Sequence, residues 1–147
     1  MDAVILSKMQ RYCSYQERTE TEVRQKLASF RLTREDEKAI LEQLIAECYF
    51  DNERFTEIYV KSKSAKAWGK NKIKVALLQK KIPETLIRKY LASINLEQDR
   101  KNIVKLIDKW LKVNKKQDNV LVKLYRYLYG KGYDVELISE TLKSYEL

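Results

Sequence analysis

Apolar residues recur along this chain at helical intervals, and the intervals themselves repeat. Val23, Leu27 and Leu32 are spaced by four and then five positions. Ile73, Leu77 and Ile82 repeat that spacing, as do Leu124, Leu128 and Tyr133, each set about 50 positions after the last. A later pair follows each set: Ile40 with Leu44, Ile87 with Leu91, and Ile138 with Leu142. Self-similarity at such a period marks a row of like modules, each too small to bury its apolar face alone.

The pattern between these anchors predicts nine helices. The first covers about 2–14, with Val4, Ile5, Met9, Tyr12 and Cys13 on one stripe. The Thr19–Glu22 pair has the spacing of a capping box and opens a second helix, with Val23, Leu27 and Phe30 inward. Thr33 opens a third, with acids in the first turn where the helix dipole favours them. Its apolar face is Ile40, Leu41, Leu44, Ile45 and Cys48. Asp51 caps a fourth helix carrying Phe55, Ile58, Tyr59 and Val60. Trp68-Gly69 breaks it, and a helix over about 70–81 follows with Ile73, Ala76, Leu77 and Leu78 on its face. Pro83 suits the first turn of the next, where its missing N–H costs nothing, and Leu86, Ile87, Tyr90 and Leu91 lie on that helix's face. A seventh begins near Glu97 with Ile103, Leu106, Ile107, Trp110 and Leu111, and an eighth carries Val120, Leu121, Leu124 and Leu128. Gly132 ends the eighth, and Asp134 caps a last helix with Val135, Leu137, Ile138, Leu142 and Tyr145. The expected fold is all-α: three tandem three-helix repeats in an elongated, curved array, with units at 1–50, 51–95 and 96–147. The first helix of the middle unit is placed to bridge to a neighbour.

Composition supports this reading. Three Gly and one Pro in 147 residues are too few for the tight turns of a strand-rich fold. Two cysteines, Cys13 and Cys48, make no disulfide framework and are expected as thiols in a cytoplasmic protein. With no His, a metal site lacks its usual ligands, and no cofactor is expected. The apolar start Ala3–Leu6 is too short for a secretory leader. Neither a glycine-rich phosphate loop nor a nucleophile elbow is present, so no enzymatic activity is expected.

Charge distinguishes the modules. Residues 1–59 hold 9 Lys/Arg against 12 Asp/Glu, residues 60–131 hold 20 against 5, and residues 132–147 hold 1 against 4. The net charge of +9 is therefore an excess of +15 in the middle flanked by two acidic ends. Lys61, Lys63, Lys66, Lys70, Lys72 and Lys74 flank the middle unit's first loop, with Lys80 and Lys81 beyond. Lys101, Lys105, Lys109 and Lys112 recur at three- and four-residue steps on one helix face, where like charges repel by a few tenths of a kcal/mol each. Two readings stand for both sets: contacts to phosphates or acidic protein side chains, or a solvated face. Tyr125, Tyr127 and Tyr129 alternate and cannot all face one core; an exposed one could stack on a base or anchor a protein interface, or the three serve packing between repeats. Trp68, beside Gly69 and Lys70, has the same two readings.

Four segments, in order, carry a family resemblance. Arg18–Leu27 is similar to an Arg-Ser-Glu-x-Glu-Leu-x-x-Lys-Leu element of the RecX family, and Glu47–Val60 to its hallmark of an aromatic, an acidic pair and Arg-Phe-Ala. Gly69–Pro83 resembles Gly-x-x-x-Ile-x-x-x-Leu-x-x-Lys-Gly-Ile, and Leu128–Tyr133 the equivalent third-repeat turn. Asn52 stands where a second acid is common, Thr56 where Ala is, and Arg31 and Lys81 where Gly is. Within the hallmark, Asp51 reads as a helix cap, Arg54 as one arm of a local ion pair and Phe55 as a core anchor; Gly69 opens the next element. The resemblance implies a modulator of the bacterial recombinase RecA that lies along the groove of the RecA–DNA filament. Such a protein inhibits strand exchange, ATP hydrolysis and coprotease activity, and so bears on DNA repair, recombination and the SOS response. RecA and its nucleoprotein filament are the expected partners of a monomer, with weak direct contact to single- or double-stranded DNA and none to membrane. The alternatives are a helical nucleic-acid-binding protein acting independently of RecA and a repeat scaffold for an acidic protein.

Overall fold

The computed structural model describes residues 1–114, 117–145 and 147, and its regular elements there are all α-helices. They are α1 (Ala3–Tyr15), α2 (Glu20–Ala28), α3 (Arg34–Ala46), α4 (Asn52–Ala65), α5 (Lys70–Gln79), α6 (Glu84–Leu91), α7 (Leu96–Asn114), α8 (Val120–Gly130) and α9 (Val135–Leu142). Helices of this length are marginal alone in water, so packing must hold them. They pack in threes: α1–α3 around Met9, Val23, Leu27, Ile40 and Leu44, α4–α6 around Phe55, Val60, Ile73, Leu77 and Ile87, and α7–α9 around Ile103, Ile107, Leu124, Leu128 and Ile138. The spaced trios supply the centre of each core. Of their nine members, eight are buried and Leu32 is half-buried.

The turn inside each trio is the same device three times. Arg31, Lys81 and Gly132 each follow four residues after the trio's second member and take positive φ, at 52°, 63° and 98°. This left-handed residue closes the helix and turns the fifth-position side chain back onto the core. In the second and third turns the Ile82 and Tyr133 N–H groups donate to the Leu77 and Leu128 carbonyls. Arg31 and Lys81 hold a conformation that glycine adopts more cheaply, so the departures from the family pattern alter cost and not shape.

Helix starts follow the capping signals with one exception. The Thr19 and Thr33 hydroxyls accept from the Glu22 and Asp36 N–H groups, and Asp51 accepts from those of Glu53 and Arg54. Asp134 precedes α9 but makes no cap bond; its carboxylate accepts from the Asn71 amide at 2.8 Å instead. Several residues expected in the core lie outside it. Val4, Ile45, Ile58, Leu78, Leu121 and Val135 are exposed, because three-helix units this small bury only a narrow stripe of each helix. Cys48 is also exposed, at φ 57° in the turn that ends α3, while Cys13 is buried; both are free thiols. Burial pushes the Cys13 thiol up, opposed by the nearby Arg18 and Arg54 charges.

The three cores are separate, and the seams between them are polar. At the first seam, Asn52 accepts from the Glu20 N–H at 2.9 Å, so a residue of α4 supports the start of α2. Arg54 Nε donates to both oxygens of Glu17, at 3.1 and 2.9 Å, and its other nitrogens reach the Cys48 and Tyr49 carbonyls. The Arg54 ion pair is therefore not local: it ties the α3–α4 turn to the α1–α2 connection, 37 positions away in sequence. At the second seam the Gly69 N–H donates to the Lys131 carbonyl at 2.7 Å, and the Asn71 N–H to that of Gly132 at 3.0 Å. Asn102 of α7 donates to the Ser64 carbonyl of α4 at 3.0 Å. Thus α4 touches both neighbouring units. The accessible surface is 9752 Å², against about 7,900 Å² for a compact monomer of this mass, which is the excess an extended row of small cores produces.

Candidate functional site

Most of the lysine-rich stretch lies on the middle repeat and the outer face of α7. The inward face of α7 carries Asn102, Ile103, Leu106, Ile107 and Trp110, which leaves Lys101, Lys105, Lys109 and Lys112 exposed on the other side. At 1.5 Å per residue those four span about 16 Å along the helix. Lys105 and Lys61 line one cleft between α4 and α7, of about 620 Å³. Lys70 and Lys74 of α5 line a second groove with Arg88 of α6, of about 320 Å³. Lys63 and Lys72 converge on Trp68, with their Nζ atoms 4.6 and 4.1 Å from the ring centroid. Lys66 and Lys81 are exposed at helix ends.

Few of these charges are neutralised locally. Among the described residues, Lys61 pairs with Glu57 at 3.4 Å, four positions back on α4. Lys80 turns away from the set, 3.9 Å from Glu22 in the first repeat. Lys66, Lys74, Lys81, Lys101, Lys105, Lys109 and Lys112 belong to none of the ion pairs found among those residues. Exposed pairs of the Lys61 type contribute little, so the field of the middle repeat stays strongly positive.

The hallmark residues form the frame of this surface. Asp51 caps α4 and Arg54 bridges to the first repeat. Phe55 is buried, with Tyr59 stacked on it at 5.6 Å between ring centroids. Gly69 stands at the start of α5 with φ −76°, so it is not there for left-handed backbone. A Cβ on it would lie 2.5 Å from the Tyr133 nitrogen and closer still to the Gly132 carbonyl. Gly69 lets two backbones meet, which periodicity could not reveal.

Sequence reasoning also missed Arg88, Asn71 and the buried polar group at the second seam. Asp99 and Asn102 sit on the apolar stripe of α7, at 3% and 4% exposure, beside Tyr133. Polar residues interrupting a buried stripe were the available signal. The Asp99 Oδ1 and the Tyr133 hydroxyl have no hydrogen-bond partner among the described residues. Burial raises the Asp99 carboxyl, with Lys70 opposing and Asp134 adding to the rise. Burial, reinforced by Asp99, also pushes the Tyr133 phenol well up.

The fold and this surface define a class: a row of three-helix repeats with polar seams and a lysine-rich middle. The RecX second three-helix domain matches residues 51–91. The chain is 30% identical over 130 residues to the regulatory protein RecX of Clostridium perfringens strain 13, covering 86% of this chain and 61% of that one. With the RecX of Serratia proteamaculans it shares 28% identity, over 96% of this chain and 97% of that one. The crystal structure of RecX from Lactobacillus salivarius superposes with a TM-score of 0.82 at 24% identity, over 97% of each chain. In sequence and in fold this chain is similar to RecX proteins. It spans about three-fifths of the length of the clostridial relatives it matches.

Proposed function

We propose that this protein binds RecA, or the filament RecA forms on DNA, and lowers its recombinase, ATPase and coprotease activities. The observation that carries the reading is the lysine set of the middle repeat and α7, unpaired among the described residues, on a protein similar to regulatory RecX proteins. A filament groove is long and lined by nucleic acid and protein acids, and an extended row of small cores suits it better than a compact globule. In this reading the repeats 1–50, 51–95 and 96–147 set the reach and the middle one supplies most of the attraction. Lys66, Lys74, Lys101 and Lys105 face phosphates or acidic side chains, in contacts indifferent to base sequence and weakened by salt. The chain acts as a monomer in the cytoplasm, without cofactor or catalysis of its own, and the hallmark residues Asp51, Arg54, Phe55 and Gly69 hold the surface in place.

The test is RecA's DNA-dependent ATP hydrolysis with the purified protein added below one molecule per RecA. Suppression at such ratios is expected. Unchanged hydrolysis at an equimolar ratio in moderate salt contradicts the reading. Tight binding to bare DNA with that result would favour the alternative, a nucleic-acid-binding protein independent of RecA.

A further inference from the structure

Regulation of RecA by surface lysines leaves one feature of the second seam unused. Beside Trp68 opens a cleft of about 480 Å³, walled by Val75, Ala76 and Gln79 of α5 and by Tyr129 and Gly130 of α8. Trp68 is half-buried, whereas Val75 and Tyr129, at 54% and 60% exposure, leave apolar area in water at an otherwise well-packed junction. The seam beneath keeps the walls where they are, since Gly69 and Gly132 meet backbone to backbone. The lining contains no carboxylate, while Lys63 and Lys72 place two ammonium groups on the indole.

Each part narrows the occupant. The aromatic rings lining the cleft favour a planar group, and the lysines favour one carried on an anionic chain. The carboxylates of an acidic peptide satisfy the charge but do not stack, so they leave both rings unused. Duplex DNA keeps its bases stacked inside and offers this cleft phosphates only. A single strand presents both planar bases and phosphates, the pairing that single-strand binding proteins meet with aromatic platforms in basic grooves. We propose that the cleft between α5 and α8 takes an unpaired base of single-stranded DNA. The base stacks on Trp68 and Tyr129, the Gln79 amide faces its edge, and Lys63 and Lys72 leave the indole for the flanking phosphates. This rests on the reading that the basic middle faces nucleic acid, but not on any action on RecA.

The test uses the full chain with Trp110→Phe, which leaves Trp68 as its one indole. It is titrated with an oligothymidylate strand, an abasic strand of equal length, the matching oligouridylate, and a duplex. Thymidylate is expected to quench the Trp68 emission, and the abasic strand to bind more weakly without quenching. Trp68→Ala and Tyr129→Ala should each weaken thymidylate binding about tenfold or more while leaving abasic binding unchanged. Tyr129 is exposed, so its truncation reads the site even if Trp68→Ala destabilises the seam. Equal affinity for thymidylate and abasic strands overturns the proposal, as does unchanged thymidylate affinity in the Tyr129→Ala protein. Tighter binding of oligouridylate than of thymidylate would assign the cleft to RNA and overturn the assignment to DNA. If the variants keep thymidylate affinity but lose suppression of RecA's ATPase, the cleft is a protein contact and the base assignment fails. If thymidylate binding follows the proposal and the ATPase is unaffected by the parent protein, the cleft assignment stands and the RecA reading falls.

Discussion

Arg54 does at the first seam what no apolar residue there does. Its guanidinium holds the Glu17 carboxylate in a two-oxygen grip and reaches the carbonyls of the α3–α4 turn. Arg54→Ala removes the grip and leaves those carbonyls to water, which should cost about 1–2 kcal/mol given the partial exposure of the pair. Arg54→Lys, which keeps the charge but not the fork, should fall between, and urea unfolding midpoints read both. The sequence could show that Arg54 matters but not what it touches, because its partner is 37 positions away. Asp99 is a second case. Its carboxyl is raised mainly by burial, so the folded chain binds that proton more tightly than the unfolded one. Its stabilising effect is therefore complete below the ordinary aspartate range and is lost as pH rises through the raised value. Asp99→Asn should match the parent at low pH and gain on it as pH rises toward neutral; thermal unfolding across that range checks it, and a pH-independent difference would contradict it.

At the scale of elements, periodicity located the helices and the three cores well, because each core is built from local spacing. The +4, +5 trios are legible since the left-handed turn they enclose repeats at Arg31, Lys81 and Gly132. What periodicity could not show is how units meet. The seams are made of single polar contacts and of one close approach of glycines, and these leave no stripe. It also overfilled the cores, placing Ile45, Ile58 and Leu121 inside when small bundles leave them wet. The second seam is the sharper test of this picture. A Cβ at position 69 has backbone on its far side, and backbone cannot rotate away. Gly69→Ala should cost about 1–3 kcal/mol as an overpacked contact and push the α7–α9 unit off the middle one, visible as a changed small-angle scattering profile. If stability and profile are both unchanged, the seam is looser than its geometry indicates.

Across the whole molecule, repetition accounts for shape, and the differences between repeats carry the proposed function. The charge asymmetry was fully legible, as it is a count. The grouping of the lysines was not. Lys61 and Lys105 share a cleft through the crossing of α4 and α7, and Lys80 leaves the set for Glu22. In the proposed function, the exposed lysines of the middle repeat and α7, unpaired among the described residues, carry the attraction to the filament. The most direct measurement compares two charge reversals of equal size in RecA's DNA-dependent ATPase: Lys74, Lys101 and Lys105 to Glu, and Lys8, Arg11 and Lys38 to Glu in the first repeat. The first is expected to abolish suppression at ratios where the parent protein acts, and the second to retain most of it. Equal loss in both proteins, or full suppression by the first, would contradict the proposed function.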